Sequence, residues 1–167
     1  MKMKKIVLIC SFLVSMFGFS QQEIKLNIAN ALVIRSLEIS YEKHISIENS
    51  LGISALFNLV EQEADFRYNE NVMISPYFRH YFTADKPWNF FGEGFIGINA
   101  GKKVIVKQFN EVNIEYIDAA LGVAVGSKYT SKGGLIIDIY AGVGRNLFLS
   151  DSPVIVPRGG VNVGWKF

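Results

Sequence analysis

The chain has 167 residues, of which 50% are hydrophobic and 13% aromatic, and its formal net charge is +2. Because 17 basic residues are nearly balanced by 15 acidic ones, the charge does not indicate a nucleic-acid partner. Cys10 is the single cysteine, so the rest of the chain forms no internal disulfide.

The first twenty residues have the pattern of a secretory signal peptide. Three lysines among the first five residues precede an apolar run over residues 6–17, and small residues at Gly18 and Ser20 fit cleavage after Ser20. We therefore predict a signal peptide over residues 1–20 and one domain over residues 21–167. The alternatives are an amino-terminal anchor, although the run is shorter than the ~20 residues of a spanning helix, and a lipoprotein cleaved at Cys10.

Alternation of apolar and polar residues, typical of β-strands, recurs eight times after the signal. The predicted strands are 23–29, 37–43, 49–59, 72–82, 88–101, 116–127, 134–145 and 158–167. Most are close to the ~9–11 residues of a tilted membrane strand, and the mature chain has no continuous apolar run long enough for a spanning helix. A closed barrel is the other structure that satisfies every backbone group in hydrocarbon.

The predicted connections alternate in length from the second strand onward. Short turns at 44–48, 83–87 and 128–133 alternate with longer segments at 60–71, 102–115 and 146–157, and 30–36 is a loose connection or a bulge. Outer-membrane barrels have short periplasmic turns and long external loops. The pattern predicts an all-β fold, a closed eight-stranded antiparallel up-and-down transmembrane barrel with both termini in the periplasm.

The last strand separates two faces, with Trp165 and Phe167 closing the apolar one. This strand resembles the final strand of small eight-stranded outer-membrane barrels of the OmpA transmembrane-domain or OmpX type. Segments 39–42, 74–79 and 90–94 resemble other segments of such small barrels. The resemblance implies an outer-membrane protein surrounded by lipid, with Trp165 and Phe167 as a signal to the barrel-assembly machinery. It also favours a non-enzymatic role, structural or as an accessory subunit of a larger outer-membrane complex.

Charged residues on the polar faces form a candidate network inside the barrel. They are Lys25, Glu38, Glu42, Arg79, Glu93, Asp118, Asp138, Arg158 and Lys166, with Arg35 as a further candidate. An eight-stranded barrel is only wide enough for side chains to fill it, and buried charges there must be paired. We expect a structural network, with an ion path as the alternative.

Aromatic residues cluster around the predicted turn at 83–87. Tyr77, Phe78, Tyr81, Phe82, Trp88, Phe90 and Phe91 flank it. The cluster predicts an outward-facing aromatic girdle at a membrane interface. A ligand-stacking cleft is the alternative.

Two functional classes compete with a structural barrel. A lipid-modifying enzyme would need His44 or His80 beside a nucleophile and an acid, but no partner stands at a recognisable spacing. A soluble lipocalin-like barrel would place apolar residues inside. We predict no catalytic residue, no metal site and no cofactor.

Two apolar triplets fall within predicted external loops, at 104–106 and 154–156. They are interpreted either as strand extensions above the membrane or as an exposed apolar lip for another protein.

Overall fold

The computed structural model describes residues 21–59, 70–84, 86–107, 110–148 and 152–167, with the side chains of 103–107 and 110–113 left out. The predicted signal peptide and most of the predicted 60–71 loop lie outside the described residues. Over the described residues, no helix is long and apolar enough to cross a membrane.

Eight strands make up almost all of the described structure. They are β1 (Gln22–Asn27), β2 (Ser36–His44), β3 (Asn49–Asn58), β4 (Glu70–Tyr81), β5 (Trp88–Lys107), β6 (Asn110–Thr130), β7 (Leu135–Asn146) and β8 (Ile155–Lys166). Each strand pairs antiparallel with the next, and β8 returns to β1 in a ladder from Glu23↔Lys166 to Asn27↔Asn162. The predicted fold class, a closed eight-stranded antiparallel up-and-down barrel, is confirmed.

The two ends of the barrel differ in their connections. The turn end carries the connections at 45–48, 82–87 and 131–134, the start of β1 and the end of β8. The loop end carries 28–35, the ends of β3 and β5, the starts of β4 and β6, and the described residues 147–148 and 152–154 between β7 and β8. At 30–36, where a loose connection or a bulge was expected, a π-helical turn spans Asn30–Ile34 and β2 begins at Ser36. Arg35 ends that turn at φ 55° with an exposed side chain, so its predicted interior position is wrong.

The predicted long connection at 102–115 is also wrong, because β5 and β6 continue through it. Their ladder runs from Trp88↔Tyr129 to Lys107↔Asn110 and includes the backbone of the first apolar triplet. β4 leaves β5 at Gly101 and β7 leaves β6 at Ala120, so the hairpin extends past the rim as a two-stranded ribbon. The β-branched residues at 104–106 favour this extension over a loop.

Polar side chains fill the interior and apolar ones cover the exterior. Ser50, Ser54 and Ser75 are buried on the inner face, whereas Ile53 and Val123 point outward and are about half exposed or more. A barrel of this kind is suited to hydrocarbon outside, because a continuous apolar exterior in water is strongly unfavourable. The arrangement is the reverse of a soluble lipocalin-like barrel.

Glycines on the inner face leave room for large rings. A Cβ atom added at Gly126 would lie 2.5 Å from Cζ of Phe91 and 2.5 Å from the carbonyl oxygen of Ile139. A Cβ atom at Gly94, on the outer face, would meet nothing within 4 Å.

We expect Gly126→Ala to lower the free energy of unfolding by about 1–3 kcal/mol, because the added methyl overpacks the interior. Urea titration in detergent micelles measures the change, with Gly94→Ala as the matched control. Equal unfolding midpoints for the two variants would contradict this packing.

Candidate functional site

A network of buried ion pairs occupies the centre of the barrel, and Arg79 of β4 is its hub. Arg79 Nη1 lies 2.5 Å from Asp138 Oδ2 on β7, and Arg79 Nε donates to Glu93 Oε2 on β5 at 2.6 Å. Arg79 Nη1 also lies 3.3 Å from Glu42 Oε2 on β2. One guanidinium therefore links four strands across the lumen.

Two lysines extend the network toward the turn end. Lys25 Nζ donates to Glu42 and, at 3.0 Å, to Asp138. Lys128 Nζ donates to Glu23 Oε2 at 2.7 Å and to Glu42 Oε1 at 2.8 Å. Each carboxylate in this half thus faces at least one ammonium group.

Arg158 of β8 extends the network toward the loop end. Its Nε donates to Glu93 Oε1 at 2.8 Å, and its Nη1 lies 3.4 Å from Glu38 Oε1. The amides of Asn27 and Asn30 donate to Glu38 Oε2 at 2.8 Å and 2.7 Å. The π-helical turn at the loop end is thereby fixed to the interior carboxylate.

These contacts form one chain of alternating charge that runs along the lumen. In order from the turn end, its members are Glu23, Lys128, Glu42, Lys25, Asp138, Arg79, Glu93, Arg158 and Glu38. Aromatic rings flank the two arginines, with the Arg79 guanidinium carbon 4.1 Å from the Phe91 ring centroid. Buried charges are tolerated only when paired and hydrogen-bonded, and here each is.

The structure places seven of the nine predicted interior residues in this chain. They are Lys25, Glu38, Glu42, Arg79, Glu93, Asp138 and Arg158. Lys166 instead lies half-buried at the turn-end mouth, because it is the last residue of β8. Asp118 is buried near the loop end, and neither residue is among the nine members of the chain above.

Asp118 holds the β7–β8 connection against the loop end. Its Oδ1 accepts from the backbone N–H of Phe148 at 3.1 Å, and its Oδ2 accepts from the hydroxyl of Ser152, which is buried. Both flanks of that connection are therefore tied to one carboxylate.

Sequence reasoning missed Glu23 and Lys128, which are both buried in the network. Glu23 stands two residues before Lys25 and shares its face, so strand alternation alone would have included it. Lys128 was assigned to a turn, but β6 continues to Thr130 and turns its side chain inward.

The predicted aromatic girdle is only partly outward. Phe78, Phe82, Trp88 and Phe90 are exposed on the outer face, as predicted. Tyr77, Tyr81 and Phe91 are instead buried inside, because they share the face of Arg79 and Glu93. The inner rings pack against the guanidinium groups rather than against lipid.

Both histidines contact polar side chains near the turn end. His44 Nε2 lies 2.8 Å from Glu23 Oε1, and His80 Nδ1 lies 3.0 Å from Asn49 Oδ1. Donor atoms of Glu23, Glu42 and His44 lie within 4.8 Å of one another, a spacing that a metal ion would accept. The Lys128 ammonium, bonded to both carboxylates, already supplies the positive charge there, so the set fits an ion pair better than a metal.

The remaining predicted residues lie on the exterior or the rim. Trp165 and Phe167 are exposed, and the Phe167 backbone exchanges hydrogen bonds of 2.9 Å and 3.0 Å with Gln22 at the β1–β8 seam. Their role as an assembly signal stays a prediction. In the second apolar triplet Val156 is fully buried, so that residue is not part of an exposed lip.

A closed eight-stranded barrel with a charged interior and an apolar exterior is a transmembrane β-barrel of the outer-membrane type. Two solved structures share this fold. The N-terminal β-barrel domain of Pseudomonas aeruginosa OprF is 11% identical, with a TM-score of 0.62 over 89% of this chain and 96% of that one. Neisserial surface protein A is 12% identical, with a TM-score of 0.55 over 89% and 94%. No protein-family model matches the chain, and no curated protein does.

We expect Arg79→Met to lower the free energy of unfolding by about 3–5 kcal/mol, because it leaves buried carboxylates short of positive charge. Urea titration in detergent micelles measures the change. Lys132→Met, at an exposed turn, is the control. An Arg79→Met midpoint equal to that of the control would show that the network does not stabilise the barrel.

Proposed function

We propose that the mature chain is a non-enzymatic, non-conducting structural barrel of the outer membrane, acting alone or as an accessory subunit of a larger complex. The observation that carries this proposal is the ion-pair chain, which fills the lumen from Glu23 to Glu38.

The filled cross-section supports a barrel without a pore. The side chains of Lys25, Glu42 and Asp138 have no accessible surface, and that of Arg79 is 1% exposed. Among the described residues, the cavity between Glu38 and Arg158 measures about 20 Å³, which is room for one water molecule. An ion could cross only by breaking pairs that hold the strands together.

The connections support an orientation with both termini in the periplasm. The three connections at the turn end have four to six residues, and Gln22 of β1 and Lys166 of β8 lie at the same end. At the loop end the connections have eight residues or more, except at 108–109, where β5 and β6 run past the rim as a ribbon. Because outer-membrane barrels keep their short turns on the periplasmic side, we assign the turn end to the periplasm and the loop end to the exterior.

We expect the purified protein to give no stepwise conductance in planar lipid bilayers, because its lumen is filled. A porin added to the same bilayer is the positive control. Uniform conductance steps from the wild-type barrel would contradict the proposal.

A mild-detergent pull-down from native membranes then separates the two structural roles. A partner at one-to-one stoichiometry indicates an accessory subunit, and a lone monomer indicates a free-standing barrel.

We further propose that Trp165 and Phe167 direct assembly, since both are exposed beside the closing seam. Phe167→Ala should reduce the amount of barrel in the membrane several-fold, while the stability of refolded protein changes by less than about 0.5 kcal/mol. Phe90→Ala, another outward aromatic near the turn end, is the matched control. Equal membrane yields for the two variants would exclude the signal.

A further inference from the structure

A shallow groove crosses the outer face of the barrel obliquely, with a volume of about 1050 Å³. Its length follows one row of the hydrogen-bond ladder, through Leu51, Phe78, Gly94, Val123 and Val143. These outward positions come from five consecutive strands, so the groove is a feature of the closed sheet rather than of one loop.

The groove passes over a point of β5 that has no side chain. Gly94 pairs with Phe78 on one side and with Val123 on the other, and a Cβ atom added to it would meet nothing within 4 Å. The missing side chain leaves an open notch between two apolar neighbours, Phe78 and Val123.

The groove rises from the turn-end half of the barrel to the loop-end rim. Leu51 is near the turn-end start of β3, whereas Arg145 is next to the last residue of β7 at the loop end. Strands of a barrel are tilted, so a line across them climbs through the membrane.

Among the described residues that line the groove, Arg145 alone is charged. Its side chain is exposed, and none of the carboxylates in the described part of the chain lies within ion-pair distance of it. A long side chain at the rim places its cation at the level of lipid headgroups, and a guanidinium matches phosphate oxygens in geometry and charge.

We propose that this groove binds one phosphate-bearing lipid of the leaflet at the loop end, with an acyl chain along the Gly94 notch and the phosphate on Arg145. An apolar channel that ends at a cation with no carboxylate partner among the described residues is complementary to an anionic amphiphile. If a second copy of the barrel occupied the groove instead, Arg145 would face the equally apolar exterior of that copy. The site rests on the proposed membrane location but does not depend on whether the lumen conducts.

Native mass spectrometry of detergent-purified barrel tests the site with two probes that have the same acyl chains, phosphatidylglycerol and diacylglycerol. Wild-type protein should retain one phosphatidylglycerol. Arg145→Ala should weaken phosphatidylglycerol binding about tenfold and leave diacylglycerol unchanged, because only the phosphate contact is lost. Gly94→Leu should weaken both lipids, because it fills the notch.

Matched controls make the result specific. Lys102→Ala removes another exposed cation near the loop end, and Ala55→Leu places the same side chain at an outward position of β3 outside the groove. If Arg145→Ala binds phosphatidylglycerol as tightly as Lys102→Ala does, the site is wrong, and this comparison stands even if Gly94→Leu fails to fold. A dimer that Gly94→Leu abolishes would assign the groove to a second copy and also overturn the proposal. Conductance by a barrel that still binds the lipid would overturn only the proposed function.

Discussion

The rest of the structure depends on one constraint: charges enclosed by eight strands must neutralise one another. Arg79 meets this constraint for the centre of the lumen, since it contacts Asp138, Glu93 and Glu42 at once. Each of those carboxylates has a further cationic partner, so no ion pair is isolated. Because the partners come from strands on opposite sides of the barrel, the network stabilises closure as well as neutralising charge.

The same network determines what the barrel is suited to do. A lumen filled by paired side chains leaves the outer face and the loop end as the surfaces available for function. The outer face has a groove with one cation, and the loop end has the β5–β6 ribbon and the connection held by Asp118. A structural or accessory role is consistent with this division, since a rigid interior supports an exterior that contacts lipid and other proteins.

Residue type predicted the inner or outer face of a strand correctly for charged side chains, whose chemistry determines the face. It failed for aromatic side chains, whose chemistry does not. A charge facing hydrocarbon is costly, so Lys25 and Arg79 were assigned to the inner face correctly from alternation alone. Arg145 can point outward because it is one residue from the loop end of β7, where a long side chain reaches the rim. An aromatic ring is stable on either face, against lipid outside or against a guanidinium inside. Tyr77 and Tyr81 were therefore predicted outward, although they share the inward face with Arg79.

The sequence by itself determined the strand count, the antiparallel order and the polarity of the two faces, because alternation and turn residues are local properties of the chain. Only the tertiary structure decided which charges pair, since Lys128 and Glu23 are 105 residues apart and meet only after the barrel closes. It also decided that Asp118 holds the β7–β8 connection, and that β5 and β6 extend past the rim. These features depend on register and distance across the lumen, which a local pattern does not contain.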